Sequence, residues 1–207
     1  MKKVITLITL FVVIISSAQT QFEKGMEKAF GLWKEGKNEE ASAMFERIAA
    51  ADKNSYLPNY YVALINTTSV FIEKDRTKID LLLTKAQDAL DKEIIKDQNN
   101  AELHVLQALI YTGYVVADPM TNGMKYSAKV MECYAKAKAI DPNNPRAVFG
   151  EADYQLGGAK WTGVDTKPLC IQVDKAIELF ATFKQETPFS PKWGLDRALE
   201  AQKNCKK

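Results

Sequence analysis

The stretch YAKAKAIDPNNPRA, Tyr134 to Ala147, holds the end of one helix and the start of another. Small apolar and basic residues alternate up to Ile140, the run stops at Asp141-Pro142, and a new start follows at Pro145. Pro142 has no amide hydrogen to donate and biases Asp141 towards extended backbone, so it marks the exit from a helix rather than its interior. Asn144 supplies a cap for the next helix, whose first residue, Pro145, loses nothing by lacking an N–H there. Two antiparallel helices joined over three or four residues form a packing device, and its repetition along the chain settles the architecture.

The joint recurs. Upstream, NNAELHVLQALIYTGYVV (Asn99 to Val116) places Asn99 and Glu102 at capping-box spacing and Leu103, Leu106, Leu109 and Ile110 on one side. Its partner is expected from about Met124 to Ile140, with Val130, Tyr134 and Ala137 in phase. Asn38 is the expected cap of EEASAMFERIAAA, where Ala41, Phe45 and Ile48 repeat the spacing and Glu39 and Glu40 favour the first turn. Ala86 and Leu90 hold the corresponding phase in KIDLLLTKAQDALDKEI, as do Ala176, Phe180 and Phe183 before Pro188. The bulky anchors Phe45, Leu90, Tyr134 and Phe180 stand 45, 44 and 46 residues apart. First helices are expected over Phe22 to Glu35, Leu57 to Phe71, Ala101 to Val116 and Pro145 to Gln155. Four helical hairpins follow, each too thin to bury its own apolar face and so stacked on its neighbours.

On these residues the chain resembles a tetratricopeptide repeat protein. In the third unit Ala108 and Tyr111 match the small residue and tyrosine of the family's first helix, and Tyr134, Ala137 and Pro142 match the aromatic, alanine and proline of the second. Ala41 and Phe45 after the Gly36 turn carry the pattern in the first unit, and Ala176, Phe180 and Pro188 carry it in the fourth; the second unit matches poorly. The anchors lie roughly ten residues further apart than the family's 34-residue period, so extra turns or long loops are expected between helices. The tryptophan and Leu-Gly pair of an ideal first helix are missing, with His104 at the tryptophan place. The resemblance implies an all-α fold of stacked antiparallel helical hairpins, a tetratricopeptide-like right-handed solenoid with long insertions. It also implies a platform for a protein or peptide partner, without catalysis or a cofactor.

The N-terminus has a separate character. MKK, the apolar run Val4 to Ile15 and SSAQT form a basic start, an apolar centre and a small-residue cleavage site. The run falls well short of the roughly 20 residues of a spanning helix. Residues 1–18 are therefore expected to be a signal peptide, leaving 19–207 as one domain in the periplasm or secreted. Loss of Lys2 and Lys3 takes the basic count from 28 to 26 against 26 acidic residues. Such a balance gives no broad basic field for nucleic acid or an acidic membrane.

Chemistry-bearing residues are few. His104 is the single histidine, which excludes a histidine-rich metal site, and its place on a patterned helix favours a structural or solvent-facing role over catalysis. Of the three cysteines, Cys133, Cys170 and Cys205, the first two lie in strongly patterned helices, where a Cys133–Cys170 disulfide and two buried thiols are both open. DPMTNG (Asp118 to Gly123) is expected to be a turn-rich insertion without the ligand rhythm of a calcium loop. QLGGAKWTGVDTKP (Gln155 to Pro168) is expected to be a glycine-rich loop, with Asp165 or Thr166 opening the last long helix. Within it Lys160 and Trp161 are the candidate partner-binding residues, and Trp161 has a second role open to it as a lid over the end of the stack, while Tyr60, Tyr61, Tyr111 and Tyr114 are further candidate surface groups. Trp193-Gly194 is expected to pack a last short helix, Leu195 to Cys205, onto the array.

The function expected from these features is a non-catalytic protein- or peptide-binding scaffold outside the cytoplasm. The alternatives are a structural component of an envelope complex and, behind it, a small-molecule carrier with an enclosed pocket. Mass spectrometry of exported material is expected to find an N-terminus near Gln19; a membrane-bound product retaining Lys2 and Lys3 would contradict it.

Overall fold

The structure is a computed structural model that describes residues 21–206. The signal-peptide expectation lies outside the described residues. Among those residues every regular element is helical. In order these are α1 (21–34), α2 (Asn38–Ala51), α3 (Leu57–Val70), α4 (Arg76–Ile94), α5 (Ala101–Ala117), α6 (Pro119–Ile140), α7 (Pro145–Thr162), α8 (Lys167–Thr182) and α9 (Leu195–Cys205). The chain divides into two compact units at Val62 and Ala63, within α3.

In the first unit α1 and α2 form a hairpin closed by aromatic packing. The Phe30 ring meets Tyr61 edge-on at 4.6 Å and Phe45 at 5.3 Å, and Phe45 stacks on Tyr61 at 5.3 Å. Phe45 is fully buried, as an anchor of the repeat should be. Asn38 is the first residue of α2 and Lys37 its cap, without a side-chain bond, so the expected Asn38 cap moves by one position.

In the second unit α4 packs on α5, α5 on α6, α6 and α5 on α7, and α7 on α8, while α9 closes on α8. Two apolar layers meet on opposite sides of α7. Ala147 belongs to a layer with Ala101, Val105, Ala108, Val130 and Tyr134, whereas Val148, Phe149 and Ala152 join Val173, Ala176 and Ala198. Small side chains at Ala101, Ala108, Ala137 and Ala147 let the helix backbones approach. Tyr134 uses such an approach: a Cβ on Gly150 would fall 2.5 Å from its ring, so α6 and α7 fit only with glycine at that place. Leu90 and Tyr134 are buried anchors as expected, but Phe180 is only partly buried, because its ring lies near the edge of the layer, over Gly194.

The long period is absorbed as helix rather than as loop. α6 begins at Pro119, five residues before the expected Met124, because Asp118 accepts a bond from the Thr121 amide and Pro119 sits in the first turn. DPMTNG is therefore a helix start, not an insertion. Likewise α7 runs through Gly157 and Gly158 to Thr162 and stops at Gly163, whose φ of 69° is the left-handed terminator. The expected glycine-rich loop shrinks to the turn 163–166, where Asp165 accepts from the Lys167 amide and Thr166, the cap position, makes no side-chain bond. α8 ends at Thr182, so Phe183 falls outside it, and α9 spans the expected Leu195 to Cys205.

The cysteine pairing differs from the one weighed above. Cys170 of α8 is bonded to Cys205 of α9, and Cys133 is a free thiol. α7 intervenes between α6 and α8, which keeps Cys133 from Cys170, whereas α9 lies directly on α8. The bond closes a sequence separation of 35 residues, a loop for which the chain-entropy account gives about 3 to 4 kcal/mol. Tyr134→Ala is expected to destabilise by about 3 to 5 kcal/mol, and Gly150→Ala to lower the melting temperature by pushing against the same ring. Thermal melts followed by circular dichroism check both; an unchanged melt for either would remove this α6–α7 contact from the core.

Candidate functional site

The groups with chemical potential are held in structural roles. His104 is buried, and its Nε2 lies 2.8 Å from the Gln98 carbonyl oxygen. Burial depresses its pKa, the Gln98 carbonyl opposes that, and the nearby Lys136 charge adds to the depression. Burial pushes the Cys133 thiol up to about 11, which favours the protonated form at neutral pH. Among the described residues no group of three or more His, Cys, Asp and Glu side chains is placed to hold a metal ion. An open cleft of about 430 Å³ between α7, α8 and α9 contains Arg197, but Asp153 already holds that guanidinium at 3.3 and 3.4 Å.

The sequence candidates Lys160 and Trp161 lie in the last turn of α7. Trp161 is 79% exposed, which excludes the lid role, and the Lys160 ammonium sits 4.7 Å from its ring centre. This leaves an amphipathic pair presented to solvent. Tyr60 and Tyr61, two other surface candidates, are buried in the first unit.

A stronger constellation forms where α5 meets α6. Tyr111 and Tyr114 stand three residues apart and share one side of α5. Tyr126 of α6 stacks on both, at 4.8 Å and 14° to Tyr114 and at 5.5 Å and 29° to Tyr111. The rings are half-buried. Burial first, then neighbouring groups that include Asp91 at Tyr111 and Asp80 at Tyr114, raise both phenol pKa values, so these rings stay neutral at physiological pH. Lys125 holds its ammonium 4.9 Å from the Tyr126 ring centre, and Lys129 lies 5.6 Å from Tyr111 and 5.5 Å from Tyr126. Four residues on α6 separate the lysines, about 6 Å along the axis. The result is a stacked tyrosine cluster with two cations on long stems, an aromatic and positively charged surface suited to a ligand that combines a ring with negative groups.

Sequence reasoning reached Tyr111 and Tyr114 but not Tyr126 or its lysines. The i,i+4 pair Lys125 and Lys129 was visible, and an early start to α6 would have placed Tyr126 beside them. Which face of α6 meets the tyrosines of α5 depends on how the hairpin closes.

The arrangement of hairpins is that of a tetratricopeptide-like repeat protein. The structure is similar to the HusA haemophore from Porphyromonas gingivalis, with a TM-score of 0.78 and 22% identity over 89% of this chain and 92% of that one. It is also similar to a thermophilic tetratricopeptide repeat protein of Thermus thermophilus, with a TM-score of 0.54 and 13% identity over 87% and 98% of the two chains. No family profile and no curated protein matches the sequence. At these identities the likeness is one of fold. No described helix is long and apolar enough to cross a membrane.

His104 yields a test with a fixed sign. Its folded pKa lies below the unfolded value of about 6.5, so below that pH the unfolded chain takes up more protons and is favoured. Stability is therefore expected to fall as pH drops from 7 through 6 towards the depressed folded value, and His104→Gln should flatten this part of the profile. Urea melts at a series of pH values measure it; parallel profiles for the two proteins would contradict the assignment.

Proposed function

We propose that this chain is a non-catalytic binding protein outside the cytoplasm that captures a flat, amphipathic ring of the haem type at the tyrosine cluster of α5 and α6. The observation that carries the reading is the cluster itself, three stacked tyrosines from two helices with the Lys125 and Lys129 ammoniums against the rings. A tetrapyrrole presents two features to such a surface: a broad apolar ring for the tyrosines and two carboxylates for the lysines. The likeness in fold to a haemophore along nine-tenths of both chains supports the same choice. In favour of export stand the N-terminal sequence and the Cys170–Cys205 disulfide, a bond that persists in oxidising compartments. A non-catalytic role agrees with a buried histidine and a protonated thiol.

The second reading is protein or peptide binding through Lys160 and Trp161, favoured by the 79% exposure of an indole at the end of a rigid helix. The two readings separate in one set of titrations. Ferric haem added to the chain from Gln19 onward should give a saturable change in its Soret band. Tyr126→Ala combined with Lys129→Glu should weaken that binding about thirtyfold, the scale of one aromatic hot spot, while Trp161→Ala leaves it within about threefold. An unchanged haem spectrum with folded protein would remove the haem reading. Loss of haem binding in a folded Trp161→Ala variant would move the site to the end of α7.

A further inference from the structure

The α3–α4, α5–α6 and α7–α8 turns, all in the second unit, lie on one edge. The Arg76 guanidinium, at the start of α4, donates to the Ala117 carbonyl at 2.7 Å and reaches Asp118 at 3.4 Å, joining the α3–α4 turn to the α5–α6 turn. The Tyr154 hydroxyl of α7 bonds to Ser127 of α6 at 2.8 Å. Tyr154 stands eight residues before the end of α7 and Ser127 eight residues after the start of α6. Both are then about 12 Å from those helix ends, which puts the α5–α6 and α7–α8 turns at one level.

This edge gathers exposed apolar side chains. Among the described residues eight large apolar side chains are more than half exposed, and five of them stand at these turns: Ile72 (78%), Val116 (53%), Met120 (90%), Met124 (95%) and Trp161 (79%). The opposite edge, made by the connections between hairpins at 95–100, 141–144 and 183–194, has one, Ile95.

Charge is distributed with the same bias. Residues 71–78, 116–125 and 160–167 hold six basic and four acidic residues. All four acids turn onto backbone amides: Glu73 accepts from the amides of Lys74 and Asp75, Asp75 from Thr77 and Lys78, Asp118 from Thr121, and Asp165 from Lys167. Among the described residues of these turns, Arg76 alone of the six basic side chains is in an ion pair. The neutral balance of the whole chain hides this local excess.

We propose that this edge is a docking surface for an anionic lipid bilayer. Apolar anchors for a protein partner are seated in pockets, whereas Ile72, Met120, Met124 and Trp161 are strongly exposed around three separate hairpin turns. Tryptophan with apolar neighbours suits the headgroup boundary, and lysines around them are attracted to acidic headgroups. The inference is independent of the tetrapyrrole reading, and would bring a carrier's cargo to a membrane surface.

The test is flotation of the chain from Gln19 onward with vesicles of phosphatidylcholine, with and without about one quarter phosphatidylglycerol. Retention is expected on the anionic vesicles and not on the neutral ones, with a fall of about tenfold or more on raising salt from low to physiological strength. The variant Ile72→Ser, Met120→Ser, Trp161→Ser should lose retention, as should Lys74→Glu with Lys160→Glu, while Ile95→Ser on the opposite edge retains it. These residues are exposed, and unchanged circular dichroism spectra establish that each variant is folded. Absence of retention on anionic vesicles, or equal retention of the triple variant, overturns the proposal. So does self-association in lipid-free buffer that the triple variant abolishes without any vesicle binding, since the occupant is then a second copy of this chain.

Discussion

The carboxylate of Glu102 and the guanidinium of Arg146 face each other at 2.6 Å with almost no access to solvent. Two charges taken from water are costly unless their remaining bonds are made. Here the Arg146 Nε also reaches both carboxylate oxygens, at 2.8 and 2.9 Å, and the Asn144 amide donates to Glu102 at 2.6 Å. Asn144 meanwhile accepts from the amides of Arg146 and Ala147 and so caps α7. The Phe183 ring, just past α8, covers the guanidinium at 4.8 Å. One buried network thus fixes the start of α5, the start of α7 and the exit of α8, with Glu102 and Asn144 separated by 42 residues in sequence. The compressed Asp141 to Arg146 joint is tight because its asparagine both caps the next helix and ties it to the previous hairpin.

The opposite edge is built differently. The connections between hairpins carry the buried ion pair, the Trp193 packing and the Phe183 contact, and they expose little apolar surface. At the turns within hairpins, the carboxylates satisfy backbone amides and the lysines and large apolar groups project. A repeat with anchors 44 to 46 residues apart has room for this because its added turns lengthen α6 to 22 residues and α7 to 18. The extra length carries Met120 and Met124 at one helix end and Trp161 at the other.

The tyrosine cluster lies further along α5 and α6, where the hairpin itself makes the surface. Tyr126 fills the angle between the two helices, and the lysines one turn apart cover its ring. The rings of this cluster are held in place by the packing of α5 against α6. The cleft beside the disulfide offers no comparable surface, since Arg197 is already engaged by Asp153.

The sequence by itself determined the helices, the hairpin joints and the all-α repeat, because helical periodicity, a proline after a last turn and an asparagine before a first one act within a few residues. Phe45, Leu90 and Tyr134 were legible as anchors for that reason. Glu102 was legible as a helix-start residue, but its side chain serves Arg146 rather than a capping box, and the cap is Asn100. Tertiary structure alone decided that pairing, the choice of Cys205 over Cys133 for Cys170, and the meeting of Tyr126 with Tyr111 and Tyr114. It also carried α7 through two glycines that, alone, would each weaken a helix by about 1 kcal/mol, with Tyr154 bonded to α6 and Leu156 packed against the α8 layer. Each of these depends on the rotation and register of one helix against another. The energies that set them come from contacts between distant segments, to which local sequence signals are blind.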